Sequence, residues 1–94
     1  MNSDEMMKVK VINNYMSLVD LNNVNTLDYK KIENELAVAL NERPAVKFVY
    51  DVETSLNEDG KTDKRVETLK TVEVYYTYSE NGELKYGKQS YVIA

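Results

Sequence analysis

Apolar and polar positions repeat with one period in the first half of the chain and another in the second. Over residues 4–21 the polar Lys10, Asn13, Asn14, Ser17 and Asp20 recur at helical spacing. Met7, Val11, Ile12, Tyr15, Met16, Leu18 and Val19 fill the opposite side. Residues 7–12, "MKVKVI", also alternate as a strand would, but the helical template covers nearly the whole run and the strand template only this part. The spacing therefore predicts a helix, with a short initial strand over 7–12 as the alternative. Ser3 is placed to cap it, and Asp4 and Glu5 fall in the first turn, where acids suit the helix dipole.

The linker "NNVNT", residues 22–26, is rich in asparagine, which favours turns and caps. A second helix is predicted over 27–42, with Thr26 as cap and Asp28 in its first turn. Tyr29, Ile32, Leu36, Ala39 and Leu40 form its apolar stripe, opposite Lys30, Lys31, Glu33, Asn34 and Glu35. Pro44 disfavours helical geometry at Arg43 and stops the helix there.

From Ala45 the period becomes two. Val46, Phe48, Tyr50 and Val52 alternate with Lys47, Val49, Asp51 and Glu53, the pattern of a half-buried strand. Further strands are expected over 65–79 and 84–93. The fold class that follows is α+β in one domain, residues 1–94. Two N-terminal helices pack on one face of a three-stranded antiparallel β-meander, in the order ααβββ.

Both turns of the meander, "NEDGK" at 57–61 and "SENGE" at 79–83, admit a two-residue type I′ loop or a three-residue loop with glycine left-handed. A slip of one residue turns every side chain to the other face. The two-residue loops set Tyr78 against Lys85, Tyr76 against Gly87 and Val52 against Glu67. The three-residue loops set Tyr78 against Leu84, Tyr76 against Tyr86, Val52 against Val66, Val46 against Val72 and Glu53 against Arg65. Apolar and opposite-charge cross-strand pairs contribute about 0.2–1 kcal/mol each, which selects the three-residue loops. On that register Val46, Phe48, Tyr50, Val52, Val66, Val72, Val74, Tyr76, Tyr78, Leu84 and Tyr86 lie under the helices. Val49, Leu69, Tyr75, Tyr91 and Ile93 lie on the open face, with Gly87 a candidate bulge ahead of Tyr91.

Composition narrows the chemistry. The chain has no histidine and no cysteine, which removes the commonest general base, the thiol nucleophile, disulfides and nearly all zinc sites. No serine stands in a glycine-flanked elbow, and the three glycines form no phosphate loop. In "SLNEDGKTDKRV", with Gly60 at the sixth position of a calcium loop, Ser55 and Val66 fall at the first and twelfth. The bidentate glutamate is thus missing, and a solvated hairpin turn is the reading. The expectation is a protein that is not an enzyme and carries no cofactor or metal.

Net charge is −4; residues 1–60 carry 11 acids against 6 bases, residues 61–94 carry 5 against 6. Neither part is basic enough for a phosphate backbone. No run is apolar enough to span a membrane, and the N-terminus has no secretory pattern, so a cytoplasmic location is expected. Asn and Lys number 10 each against 2 Arg. That is an AT-rich codon signature, suggesting a low-GC bacterium or its phage.

The function expected is a small acidic protein-interaction module using Val49, Leu69, Tyr75 and Tyr91 on the open sheet face. Its partner would be another protein or a second copy of the chain. A phage or mobile-element accessory protein, or a host-directed inhibitor whose acidic surface mimics nucleic acid, is one form. Two alternatives stay open. One is single-stranded nucleic-acid binding by stacking on sheet tyrosines near Lys85 and Lys88, against which the net charge stands. The other is a structural component that only self-associates.

Overall fold

A computed structural model describes residues 2–94. The chain forms α1 (Ser3–Met16), a 3-10 turn (Val24–Thr26), α2 (Tyr29–Leu40), β1 (Ala45–Leu56), β2 (Asp63–Glu80) and β3 (Glu83–Val92). The strands make one antiparallel sheet in the order β1-β2-β3. The α+β architecture, two helices followed by a meander, is as the periodicity indicates.

Residues 7–12 are helical. α1 is capped by Asn2 rather than Ser3: the Asn2 side chain accepts from the Glu5 amide at 2.8 Å. It stops at Met16, short of the expected 21. Ser17 Oγ donates to the Asn14 carbonyl and Asp20 Oδ1 accepts from the Asn22 amide. Such local bonds compete with the helical ladder. Asp28, not Thr26, caps α2 by accepting from the Lys30 and Lys31 amides. Asn41, left-handed at φ 55°, closes it before Pro44 is reached. Ile32, Leu36 and Leu40 are buried on its inner side, while Tyr29 and Ala39 are exposed.

α1 packs on β2 and α2 on β1. Between them lie Ile12, Met16, Ile32, Leu36, Leu40, Val46, Leu69, Val72, Val74 and Tyr76. Full burial of side chains such as Ile12, Leu36, Val72 and Val74 contributes about 1.5–3 kcal/mol each. One charge sits among them. Lys8 is buried and its Nζ donates to the Thr77 carbonyl at 2.7 Å and to Glu42 Oε2 at 3.1 Å, with Asp4 at 3.7 Å. Thr77 Oγ1 donates to the other Glu42 oxygen. This cluster ties α1, the end of α2 and β2 together.

Both expected registers are wrong, for different reasons. The β2–β3 loop is the two-residue one: Asn81 and Gly82 have φ of 52° and 78°, and Glu80 faces Glu83. Tyr78 therefore faces Lys85 and Tyr76 faces Gly87. The glycine is the seat of the tyrosine ring, since a Cβ on Gly87 would lie 2.4 Å from Tyr76 Cζ. In the β1–β2 hairpin the Asn57 amide donates to the Thr62 carbonyl at 2.7 Å, enclosing a longer turn. Asp59 organises it by accepting from the Lys61 and Thr62 amides. Val52 faces Glu67, Glu53 faces Val66 and Val46 faces Val74. The register shifts between Val49, which faces Thr71, and Tyr50, which faces Leu69. Lys70 is thus an extra residue in β2, a β-bulge that reverses the parity of everything before it.

The molecule measures 60 × 26 × 20 Å, with a radius of gyration of 17.1 Å. A compact chain of this length has about 12 Å. The excess comes from the β1–β2 hairpin, which runs on past the helices as a two-stranded arm. From residue 50 to 68 every residue is exposed. At about 3.4 Å per residue, the β1 half of the arm reaches roughly 20 Å beyond the core.

Candidate interaction surface

Paired residues share a face of the sheet, so the observed registers sort the side chains. On the side away from the helices lie Ala45, Lys47 and Val49 of β1 and Thr71, Glu73, Tyr75, Thr77 and Ser79 of β2. Their β3 partners are Leu84, Tyr86, Lys88, Ser90 and Val92.

Of the residues expected here, Val49 and Tyr75 are on this face. Leu69 is not. The bulge at Lys70 turns it inward, and it is buried in the core beside Val72. Tyr91 faces Val72 and packs against the core, its hydroxyl donating to Asn13 Oδ1 of α1 at 2.6 Å. Burial pushes its hydroxyl up to about 12. Ile93 likewise packs against the core. Leu84, Tyr86 and Val66 move the other way, out from under the helices. Tyr86 is 78% exposed and Leu84 63%. Val92 joins them, opposite Thr71. The sequence signal for the β2–β3 part of this exchange was Gly87: glycine opposite a large aromatic is a seat for the ring, and taking it so would have fixed that register.

Tyr75 and Tyr86 lie diagonally across β2 and β3 and flank a shallow hollow of about 190 Å³, with Ala45 and Thr77 also lining it. Glu42 and Arg43 stand at its end. The charges on the face are few, and two of the three, Glu73 and Lys88, engage each other. The Tyr75 hydroxyl donates to Glu73 Oε1 at 2.8 Å, and Lys88 Nζ lies 3.2 Å from Glu73 Oε2. Those contacts, the tyrosine hydrogen bond first, hold the Glu73 carboxyl below the usual carboxylate range. The same hydrogen bond raises Tyr75, which keeps it neutral.

Elsewhere the chemistry is spent on structure. A groove of about 350 Å³ between the helices is lined by Tyr15, Leu18, Val19, Leu27, Ile32 and Glu35. Burial and a hydrogen bond to Glu35 push Tyr15 up to about 12, so the groove presents a neutral phenol. Asp59, the central acid of the 57–62 turn, is held low by the amides of Thr62 and Lys61, and its second oxygen accepts from the Thr62 hydroxyl. Among the described residues no group of three His, Cys, Asp or Glu side chains converges to hold a metal ion. No helix is long and apolar enough to cross a membrane.

Fold and surface together define a small α+β protein with a two-layer body, an open sheet face and a projecting β-arm. Compared with known protein families, curated proteins and solved structures, the chain matches none.

Proposed function

We propose that the chain is a small non-enzymatic protein-interaction module whose partner docks on the open sheet face. The observation that carries this reading is the co-location of Tyr75, Leu84, Tyr86 and Val92, all exposed, on one face. Tyr75, Tyr86 and Leu84 gather towards the Asn81-Gly82 end of the face, with the row of Lys47, Glu73 and Ser90 between them and Val92. Exposed tyrosine and leucine beside a few charges suit a protein interface. An accessory protein of a phage or mobile element, directed at a host protein, fits the small size, the −4 charge and the AT-rich codon signature.

Affinity capture from the native cell with the wild-type chain and with Leu84→Lys/Tyr86→Lys tests the reading. Both sites are exposed, so the variant keeps its circular dichroism. One protein retained by the wild type and lost with the variant supports the reading. The same proteins retained by both, or none retained, refutes it.

A second reading draws on one specific feature: Lys47 and Lys88 stand on the same face as Tyr75 and Tyr86, as a base-stacking surface requires. The net charge opposes it. Fluorescence anisotropy of single-stranded DNA and RNA at low salt decides: saturable binding lost in Tyr86→Ala moves the function to nucleic acid.

A further inference from the structure

β1 is an edge strand whose outer side is closed at one point by a side chain. The Val46 amide donates to Glu33 Oε2 at 2.8 Å, and the same carboxylate pairs with Arg43 at 3.2 Å. That bond marks which residues of β1 turn their N–H and C=O outward, because orientation alternates along a strand. Phe48, Tyr50, Val52 and Thr54 follow Val46 in this. With β1 at the edge of the sheet, their outward groups have no neighbouring strand. The edge beyond Val46 has no proline and no lysine except Lys47, and the bulge of this hairpin lies in β2. Such an edge is a template for pairing with another strand.

We propose that the strand it pairs with is β1 of a second copy, antiparallel, with the two-fold axis at Tyr50. The two sheets then continue as one. In this register Phe48 faces Val52 of the other copy twice over, Tyr50 faces its own equivalent, and Lys47 faces Glu53 twice. Within one chain, Lys47, Asp51 and Glu53 belong to no ion pair among the described residues. The charge pattern rejects the registers centred nearer the turn. An axis at Asp51 sets that carboxylate against itself, and an axis at Val52 sets Asp51 against Glu53. Glu33 holds the Val46 amide, so the Tyr50 register ends at its Phe48–Val52 pairs and keeps three hydrogen-bonded pairs. An axis at Val49, which would set Lys47 against Asp51, keeps only the two Phe48–Tyr50 pairs. Facing like charges are destabilising in a sheet, and facing opposite charges are stabilising.

The pairing also gives the arm a neighbour. Tyr50 and Val52 are about half exposed because no helix of their own chain covers them. In the dimer Val52 lies beside the partner's Phe48. In each chain Phe48 is packed edge-on against Tyr29 of α2, ring centres 6.1 Å apart. The two-fold axis stands perpendicular to the joined sheet, so both open faces look the same way and one dimer offers two docking faces side by side. The inference uses the β1 edge and not the open face, so it stands or falls separately from the proposed function.

Sedimentation velocity over about 1 µM to 1 mM, spanning weak to moderate affinities, reads the oligomeric state directly. The wild type is expected to reach twice its chain mass within this range. Lys47→Glu raises the dissociation constant about tenfold or more, since two attractive pairs become repulsive. Lys47→Glu/Glu53→Lys restores it to within about threefold, because the swap recreates both pairs. Val52→Pro removes one outward amide, leaves the β1–β2 ladder its donors and gives a monomer. Should Val52→Pro fail to fold, the charge swap alone decides. A wild type that stays monomeric overturns the proposal, as does a dimer indifferent to Lys47→Glu or one that the swap fails to restore.

Discussion

Gly87→Ala is the sharpest perturbation of this fold, although the glycine needs no unusual backbone angle. A Cβ there would lie 2.4, 2.5 and 2.7 Å from Tyr76 Cζ, Oη and Cε2. Ordinary contacts are about 3.5–4.0 Å, so the ring must retreat by roughly an ångström. Tyr76 is buried in the core and its hydroxyl meets Gln89 Nε2 at 3.5 Å, which leaves little room for retreat. Forced overpacking of this kind costs about 1–3 kcal/mol. The entropy that alanine removes from the unfolded chain offsets about 0.4–1 kcal/mol of that. The net expectation is a loss of about 1–2 kcal/mol, or roughly 4–8 °C in melting temperature per kcal/mol for a domain of this size. Urea unfolding followed by circular dichroism measures it, with an unchanged slope confirming that stability alone has moved. The partner change is diagnostic. Tyr76→Leu costs about 2–4 kcal/mol when residue 87 is glycine, because it uncovers the core. With alanine at 87 it costs less, since the alanine methyl takes the space the ring has left. A double-mutant cycle should show coupling of about 1 kcal/mol or more. An alanine variant as stable as the wild type, or strictly additive effects, refutes the seating of Tyr76 on Gly87.

Other consequences follow from the same contacts. The Thr77 hydroxyl bond, and after it the Lys8 contacts, lower the folded pKa of Glu42. Its stabilising contribution is therefore present above the ordinary glutamate pKa of about 4.5 and lost as pH falls through the lower folded value; Glu42→Gln should flatten the acid limb of a stability–pH curve. Lys8→Ala should cost about 1–3 kcal/mol at neutral pH by leaving the Thr77 carbonyl and Glu42 short of a buried donor. Tyr15 and Tyr91 are raised to about 12, so both favour the folded state below pH 10 and that contribution is lost between about pH 10 and 12. The chain has no tryptophan, and absorbance at 295 nm should show a late tyrosinate step that Tyr15→Phe and Tyr91→Phe each diminish. Replacing residues 54–65 by an Asn-Gly turn between Glu53 and Val66, which face each other in the ladder, should leave the body folded, since the buried core residues all lie outside that span; a chain unfolded by this excision would show the arm to be part of the core.

The helix–helix–meander order was legible because each element carries an unbroken period: Ile32, Leu36 and Leu40 in α2, Val46 and Phe48 in β1, Val72, Val74 and Tyr76 in β2. The helix ends were less so, because Asn2, Asp28 and Asn41 cap where Ser3, Thr26 and Pro44 compete for the same role. The registers failed on two physical points. Scoring cross-strand pairs rewarded Tyr76 opposite Tyr86 over Tyr76 opposite Gly87, although a glycine gives a large ring room to lie flat and bury. Nothing in "TLKTV" announces the bulge at Lys70, which has neither glycine nor proline. Those two points moved Leu69 and Tyr91 into the core and brought Leu84 and Tyr86 out of it. Val49 and Tyr75 kept their places because Tyr75 lies beyond the bulge and Val49 is opposite Thr71, on its body side.

The surface reading stands on the β2–β3 register, and cross-strand nuclear Overhauser effects measure that register residue by residue. With the two-residue Asn81-Gly82 loop, the pairs Ser79–Leu84 and Thr77–Tyr86 bring their Hα protons together across β2 and β3. These contacts are the predicted result, and they set Leu84, Tyr86 and Tyr75 on one open face. Contacts pairing Tyr78 with Leu84 and Tyr76 with Tyr86 would return both residues to the core and contradict the account.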